Sequence, residues 1–170
     1  MFREMRRGKQ ELSLEESVKI LKRGTSGVLA AAGDDDYPYA VPLSYVYADS
    51  KIFFHCAGEG HKLDAIARNS KVSFCVIDKD QIVPEKYTTY FRSVIAFGKA
   101  RMLSDEEEKR AALELLAEKY SPEFEEGRRK EIDSQFRQVR MVEIKIEHMT
   151  GKEAIELVKE GRSPAKDFKF

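Results

Sequence analysis

Between Val28 and Ala57 the chain offers three apolar runs of strand length with only turn-sized links between them. Val28 to Ala32 is closed by Gly33-Asp34-Asp35-Asp36, and Tyr39 to Tyr47 is separated from Ile52 to Ala57 by Ala48-Asp49-Ser50-Lys51. Gly, Asp and Ser favour tight reversals through positive φ and local side-chain hydrogen bonds, so the second link reads as a hairpin. Links this short suit antiparallel neighbours, whereas a parallel crossover needs a dozen residues or more. Strict alternation of strands and helices is absent, which argues against a doubly wound parallel sheet.

The remaining elements fit around such a sheet. Ser13-Leu14-Glu15-Glu16 is a capping box that opens a helix with Val18, Ile20 and Leu21 on its apolar side, ended by Gly24. A short amphipathic helix runs from His61 to Arg68, with Leu63, Ile66 and Ala67 facing inward. Val72, Phe74 and Val76 alternate as in a strand, and Thr89 to Leu103 reads as one long strand with Gly98 at a bend or bulge. Ser104-Asp105-Glu106-Glu107 is a second capping box, before a helix carrying Ala112, Leu113, Leu116 and Tyr120 on one stripe. Ser121-Pro122 suggests a further helix start, and Val142 to Glu147 alternates as a last strand, apolar on one face. The expectation is a mainly β, antiparallel six-stranded barrel with peripheral α-helices. It forms a single domain over 1–160, with a polar tail over 161–170.

Lys plus Arg and Asp plus Glu number 30 each, so no net field draws nucleic acid or an anionic membrane. No apolar run approaches the ~18 residues of a membrane span, and no apolar h-region follows the first residues, which points to the cytoplasm. Cys56 and Cys75 sit in strand-like runs without a CxxC spacing and read as buried, reduced thiols. His55, His61 and His148 lack any HExxH or paired-Cys context, so no metal site is expected. Nucleophile-elbow, Walker and dinucleotide-binding glycine motifs are also absent.

The chemistry concentrates in Ile52 to Ile66, where a strand ends, Gly58 and Gly60 relax the backbone, and a helix begins with His61 and Lys62. Free N–H groups in a first helical turn, together with the positive dipole end, form a ready phosphate site. Two cations at that position are locally unfavourable unless an anion joins them. Asp64 offsets part of that cost, so a merely solvated pair stays an equal alternative. Pro42, inside Tyr39 to Tyr47, cannot donate a ladder bond and belongs at an edge or bulge, with or without a ligand. Thr88 to Val94 mixes hydroxyls, aromatics and Arg92, which suits a site wall, a subunit interface or an ordinary loop-to-strand junction.

In order along the chain, these segments resemble the FMN-binding split barrel, and specifically the nitroimidazole-resistance (Nim-type) branch of the pyridoxamine-phosphate-oxidase-like superfamily. The likeness rests on Met5-Arg6-Arg7, on Gly33 to Tyr47, on Phe54 to Ile66 with its Gly60-His61-Lys62, and on Tyr90 to Val94. It implies that backbone around Val41, Pro42, Leu43 and Ser44 lies along the flavin ring. It further implies that Gly60, His61 and Lys62 hold the FMN phosphate and that His55 and Ala57 sit close to the cofactor. His55 becomes a candidate proton donor. The resemblance also implies a homodimer with its cofactors at the interface, Ser93 and its neighbours approaching the site from the same or the other subunit, and a small-molecule electron acceptor such as a nitroaromatic. Related barrels hold deazaflavin or haem, and a flavin carrier or sensor without turnover is a further alternative. True pyridoxamine-phosphate oxidases end in a Trp-bearing substrate segment; this chain contains no Trp, so vitamin B6 oxidation is not expected.

Overall fold

The computed structural model describes residues 2–161; the polar tail expected beyond them lies outside the described residues. Seven strands make one antiparallel sheet: β1 Ser26–Ala32, β2 Pro38–Ser44, β3 Val46–Ala48, β4 Lys51–Cys56, β5 Lys71–Val83, β6 Thr88–Met102 and β7 Arg140–Glu153. Five helices accompany it: α1 Leu14–Arg23, α2 His61–Arg68, α3 Glu106–Tyr120, α4 Glu125–Gln135 and α5 Ile155–Gly161. Among these described residues, no helix is long and apolar enough to cross a membrane.

The strand order β2-β1-β5-β6-β7-β4-β3 explains why six expected strands become seven. The run expected as one strand from Tyr39 to Tyr47 is broken at Tyr45. Its first part is one edge of the sheet and its second part is the other. Consecutive Cα atoms are ~3.8 Å apart, so two edges separated by a single residue must meet. The sheet therefore curls into a barrel closed covalently at Tyr45. Below that residue β2 touches β4 without ladder bonds, which leaves the barrel split along a seam.

Local chemistry sets the corners. Asp49 and Ser50 form a two-residue loop, both at positive φ (48° and 61°), as a hairpin of right-twisted strands requires. The β5–β6 ladder shifts register between Ile77 and Lys79, which frees Asp78 to meet Arg23 at 2.6 Å. Gly98 lies at the β6–β7 register shift, where a Cβ would run into the Lys145 carbonyl oxygen. Ser13 caps α1 by accepting from the Glu16 N–H at 3.1 Å.

Two apolar clusters stabilise the chain. One fills the barrel, with Leu29, Phe54, Phe74, Val94 and Ile144 inside and α1 and α2 adding Ile20, Leu21, Leu63 and Ile66. The other lies outside, where Leu113, Leu116 and Ile132 of α3 and α4 cover Val46, Phe53 and Met141. This second layer corrects the one-sided reading of the last strand. Met141 to Ile144 are all buried because the barrel interior takes one face and the helices take the other. Glu143, buried there, is held below the usual carboxylate range. Burial pushes its pKa up, but bonds from Arg101 (2.8 Å) and Lys51 (2.8 Å) outweigh that effect.

Several local expectations are corrected. Asp105, not Ser104, caps α3, since its carboxylate reaches the Glu108 N–H at 2.9 Å. Ser121 ends α3 rather than starting a helix; a turn follows, and α4 begins at Glu125. Ala65 rather than Ala67 faces the core. Gly24 ends α1 in an extended conformation (φ −61°), so its value is space, not a left-handed turn. A Cβ there would meet the Tyr45 hydroxyl. Cys56 is buried as expected, whereas Cys75 is only half-buried because it faces outward.

The outer face of β2, β1, β5, β6 and the far half of β7 carries no helix layer. Register aligns Pro42, Val28, Cys75, Ile95 and Thr150 in one row, and Ala40, Ala30, Ser73, Phe97 and His148 in the next. Phe2 stacks on His148 at one margin (centroids 4.7 Å apart). The result is a broad surface of small and apolar side chains.

Candidate seam cleft

The seam arranges the expected residues. Val46 pairs with Phe53 across the β3–β4 hairpin, and Ser44 and His55 each lie two residues further on, at the same level. Val41 to Ser44 thus run beside the descending chain His55 to Gly60, across a gap that no ladder bridges. Val41 and Leu43 point into the barrel core while Pro42 and Ser44 point out. Pro42 is on an edge strand, as its missing N–H demands. The free side of β2 therefore offers main-chain polar groups to whatever occupies the gap.

Outside the gap lies a cleft of about 810 Å³. Ser44, His55, Cys56, Ala57 and Gly58 form its floor, and Leu113, Leu116, Ala117 and Tyr120 of α3 form one wall. Glu131, Ile132 and Gln135 of α4, with Gln138 and Val139, close the rest. Its size and its apolar walls with a few oriented polar groups match the usual makeup of a small-molecule site. Burial raises the Cys56 thiol pKa, and nearby Lys62 and Arg140 offset only part of the rise, so the thiol is protonated at neutral pH.

At the foot of the seam α2 starts from Gly60, whose φ of 133° only glycine adopts freely. No side chain caps this helix, so the N–H groups of His61 and Lys62 are open. His61 turns aside: its ring packs on Tyr39 (4.0 Å) and its Nε2 lies 3.6 Å from the Asp34 carboxylate, which also pairs with Arg68 at 2.6 Å. Lys62 has no ion-pair partner among the described residues. Neither does Arg140, which lies opposite Cys56 in the β4–β7 register. These two cations, both close enough to act on the Cys56 thiol, and the helix start make an anion-attracting cluster at the foot of the seam.

Val41, Pro42, Leu43, Ser44, His55, Ala57, Gly60, His61 and Lys62 are therefore gathered on the two sides of one seam. Ser93 is not. It lies on β6, separated from the β2 edge of the seam by β1 and β5, three inter-strand steps or about 14 Å at ~4.8 Å each. The sequence reading missed Tyr120, Gln135, Gln138 and Arg140. The first belonged to a stripe read simply as helix packing, and the other three lie in a polar stretch without periodicity. Among the described residues no cluster of His, Cys, Asp and Glu is able to hold a metal.

Comparison with known proteins agrees with this architecture. Residues 13–153 match the family model for pyridoxamine 5'-phosphate oxidase. A candidate 5-nitroimidazole antibiotic resistance protein from Bacteroides thetaiotaomicron superposes with a TM-score of 0.71 at 22% identity, covering 84% of this chain and 86% of the other. A FAD-binding protein from Mesorhizobium loti gives 0.64 at 26% identity, covering 85% and 97%. A conserved hypothetical protein from Mycobacterium tuberculosis gives 0.78 at 18%, covering 98% of each chain. No curated protein sequence matches the chain.

Proposed function

Because the chain belongs to the pyridoxamine 5'-phosphate oxidase family, we propose that its seam cleft binds a flavin, FMN in the first instance, and serves reduction of a small acceptor such as a nitroaromatic or quinone. The observation that carries this reading is the meeting, in one seam, of an open strand edge, an apolar-walled cleft and an uncapped cationic helix start. A bound flavin supplies the redox chemistry. The chain's own residues orient it and exclude water.

The unpaired edge of β2 at Val41 to Ser44 faces the polar rim of the ring, while Leu113, Leu116 and Ile132 cover its apolar surface. Lys62 and Arg140, with the N–H groups of His61 and Lys62, receive the phosphate. His61 contributes less to that contact than its backbone does, since Asp34 and Tyr39 hold its ring. His55 is exposed on the cleft floor and is the group placed to deliver a proton to an acceptor from its imidazole nitrogen.

The bare outer sheet face suits a second copy of the chain. Ser93 lies on that face, two strands removed from the β2 edge of its own seam, and a second copy docked there brings it to the partner's cleft. The FAD-binding protein at 26% identity favours one second reading, in which FAD replaces FMN in the same seam.

Titration with FMN and, separately, FAD tests these assignments. Lys62→Ala combined with Arg140→Ala weakens binding at least about 100-fold, at roughly 1.5–3 kcal/mol for each charge-assisted contact. Unchanged affinity in that double variant refutes the phosphate assignment.

A further inference from the structure

Lys119, in the last turn of α3, carries its ammonium to the top of the seam. There it donates to the carbonyl oxygens of Gly24 and Tyr45 (2.9 Å for the latter) and lies 4.1 Å from the Tyr45 ring centroid. It meets no carboxylate among the described residues, and burial is the sole cause moving its pKa, down to about 8. At neutral pH Lys119 therefore carries a charge that no carboxylate meets directly, Glu131 on α4 being the carboxylate that lines the cleft. A half-buried cation held by carbonyls alone gives up part of its hydration, and proteins that retain such a charge usually employ it.

The charge also lies close to the cleft. Tyr120 Oη donates to the same Tyr45 carbonyl at 3.0 Å, so Lys119 Nζ and this cleft-lining oxygen are at most 5.9 Å apart (2.9 + 3.0). Ser44, on the cleft floor, is the residue next to Tyr45. From these positions we infer that Lys119 is a charge-tuning, positioning residue of the cleft, favouring a ligand that gains negative charge there. For a flavin, that ligand is the reduced form over the oxidised one. Lys119 itself touches neither ligand nor acceptor; it acts through the field of its ammonium and through the carbonyls it holds. The inference rests on the flavin reading of the cleft.

The test is the midpoint potential of FMN bound to the full chain at pH 7, with the affinity for oxidised FMN measured alongside. Wild type is compared with Lys119→Arg and Lys119→Met. Unit charges about 10 Å apart at an effective dielectric of about 20 alter an affinity ratio about tenfold. Lys119→Met therefore lowers the preference for reduced over oxidised FMN about tenfold, or about 30 mV for a two-electron couple. Lys119→Arg keeps it within about twofold, and oxidised FMN binds all three forms similarly. Should Lys119→Met fail to fold, Lys119→Gln, which retains a donor for the two carbonyls, takes its place. A wild-type potential in the uncharged variant overturns the inference and leaves the flavin reading intact. So does an arginine variant that falls as far as the methionine one. Wild-type protein that binds no flavin overturns both.

Discussion

Removing the Tyr45 hydroxyl is the sharpest perturbation of the seam. Tyr45 is fully buried, and its Oη donates to the Leu21 carbonyl oxygen at 2.8 Å. That carbonyl is in the last turn of α1, where intrahelical partners run out. The phenol thus acts as a C-terminal cap supplied from the residue that joins the two sheet edges. Tyr45→Phe keeps the ring, including its edge-on packing against Phe74 (centroids 4.9 Å apart), and leaves a buried carbonyl unsatisfied. The cost of such a group is about 1–3 kcal/mol. At about 2 kcal/mol, a chain of this size loses about 4–8 °C of Tm. Urea unfolding followed by far-UV circular dichroism should show the midpoint fall with an unchanged slope. Tyr37→Phe, at an exposed position, should shift stability by no more than about 0.5 kcal/mol. A loss for Tyr45→Phe below that same figure refutes the cap and means that the Leu21 carbonyl finds another partner. Burial also raises the Tyr45 pKa well above the ordinary phenol value of 10. The unfolded chain then gives up this proton first, so stability declines as pH rises above about 10, and Tyr45→Phe removes that part of the decline.

Other outcomes follow from the same packing. Gly98→Ala forces a Cβ into the Lys145 carbonyl and should cost at least about 2 kcal/mol in denaturant unfolding; a neutral result contradicts the tight β6–β7 approach. Lys119 has a folded pKa of about 8 against 10.5 unfolded, so between those values the unfolded chain binds the extra proton and stability rises with pH. The Tm of wild type should therefore gain on that of Lys119→Met from pH 8 to 10, and a constant difference refutes this. Ile95→Lys places a charge in the middle of the bare outer sheet face, so light scattering should find the proposed dimer converted to monomers. A wild type that is monomeric at all concentrations removes the proposed role of Ser93.

What the sequence disclosed was largely local. The Ser13 cap, the Asp49-Ser50 reversal, both ends of α2 and the special status of Gly98 depend on a few neighbouring residues, and all are found where the residue types place them. The split of one strand at Tyr45 was not legible, because nothing in Tyr39 to Tyr47 breaks the strand locally. Closure of the sheet breaks it by sending its two halves to opposite edges. The double-sided burial of Met141 to Ile144 was hidden for the same reason, since the second covering layer arrives from α3 and α4. At the cleft, short motifs marked the floor and the helix start. Tyr120, Gln135 and Gln138 join the cleft only through tertiary packing, and a polar residue facing a cleft looks in sequence like any solvated one. His61 shows the reverse case: its residue type suited the expected contact, but Asp34 and Tyr39, remote in sequence, turn its ring away.

The central claim, that the seam cleft holds a flavin, is tested most directly by the absorption spectrum of freshly purified protein, titrated with FMN if it is colourless. A flavin-binding seam gives the two-banded blue spectrum of a flavin, or saturable FMN binding at about one per chain that is lost with Lys62 and Arg140. An intense Soret band of haem, or the absence of any flavin binding at saturating FMN and FAD, would contradict it.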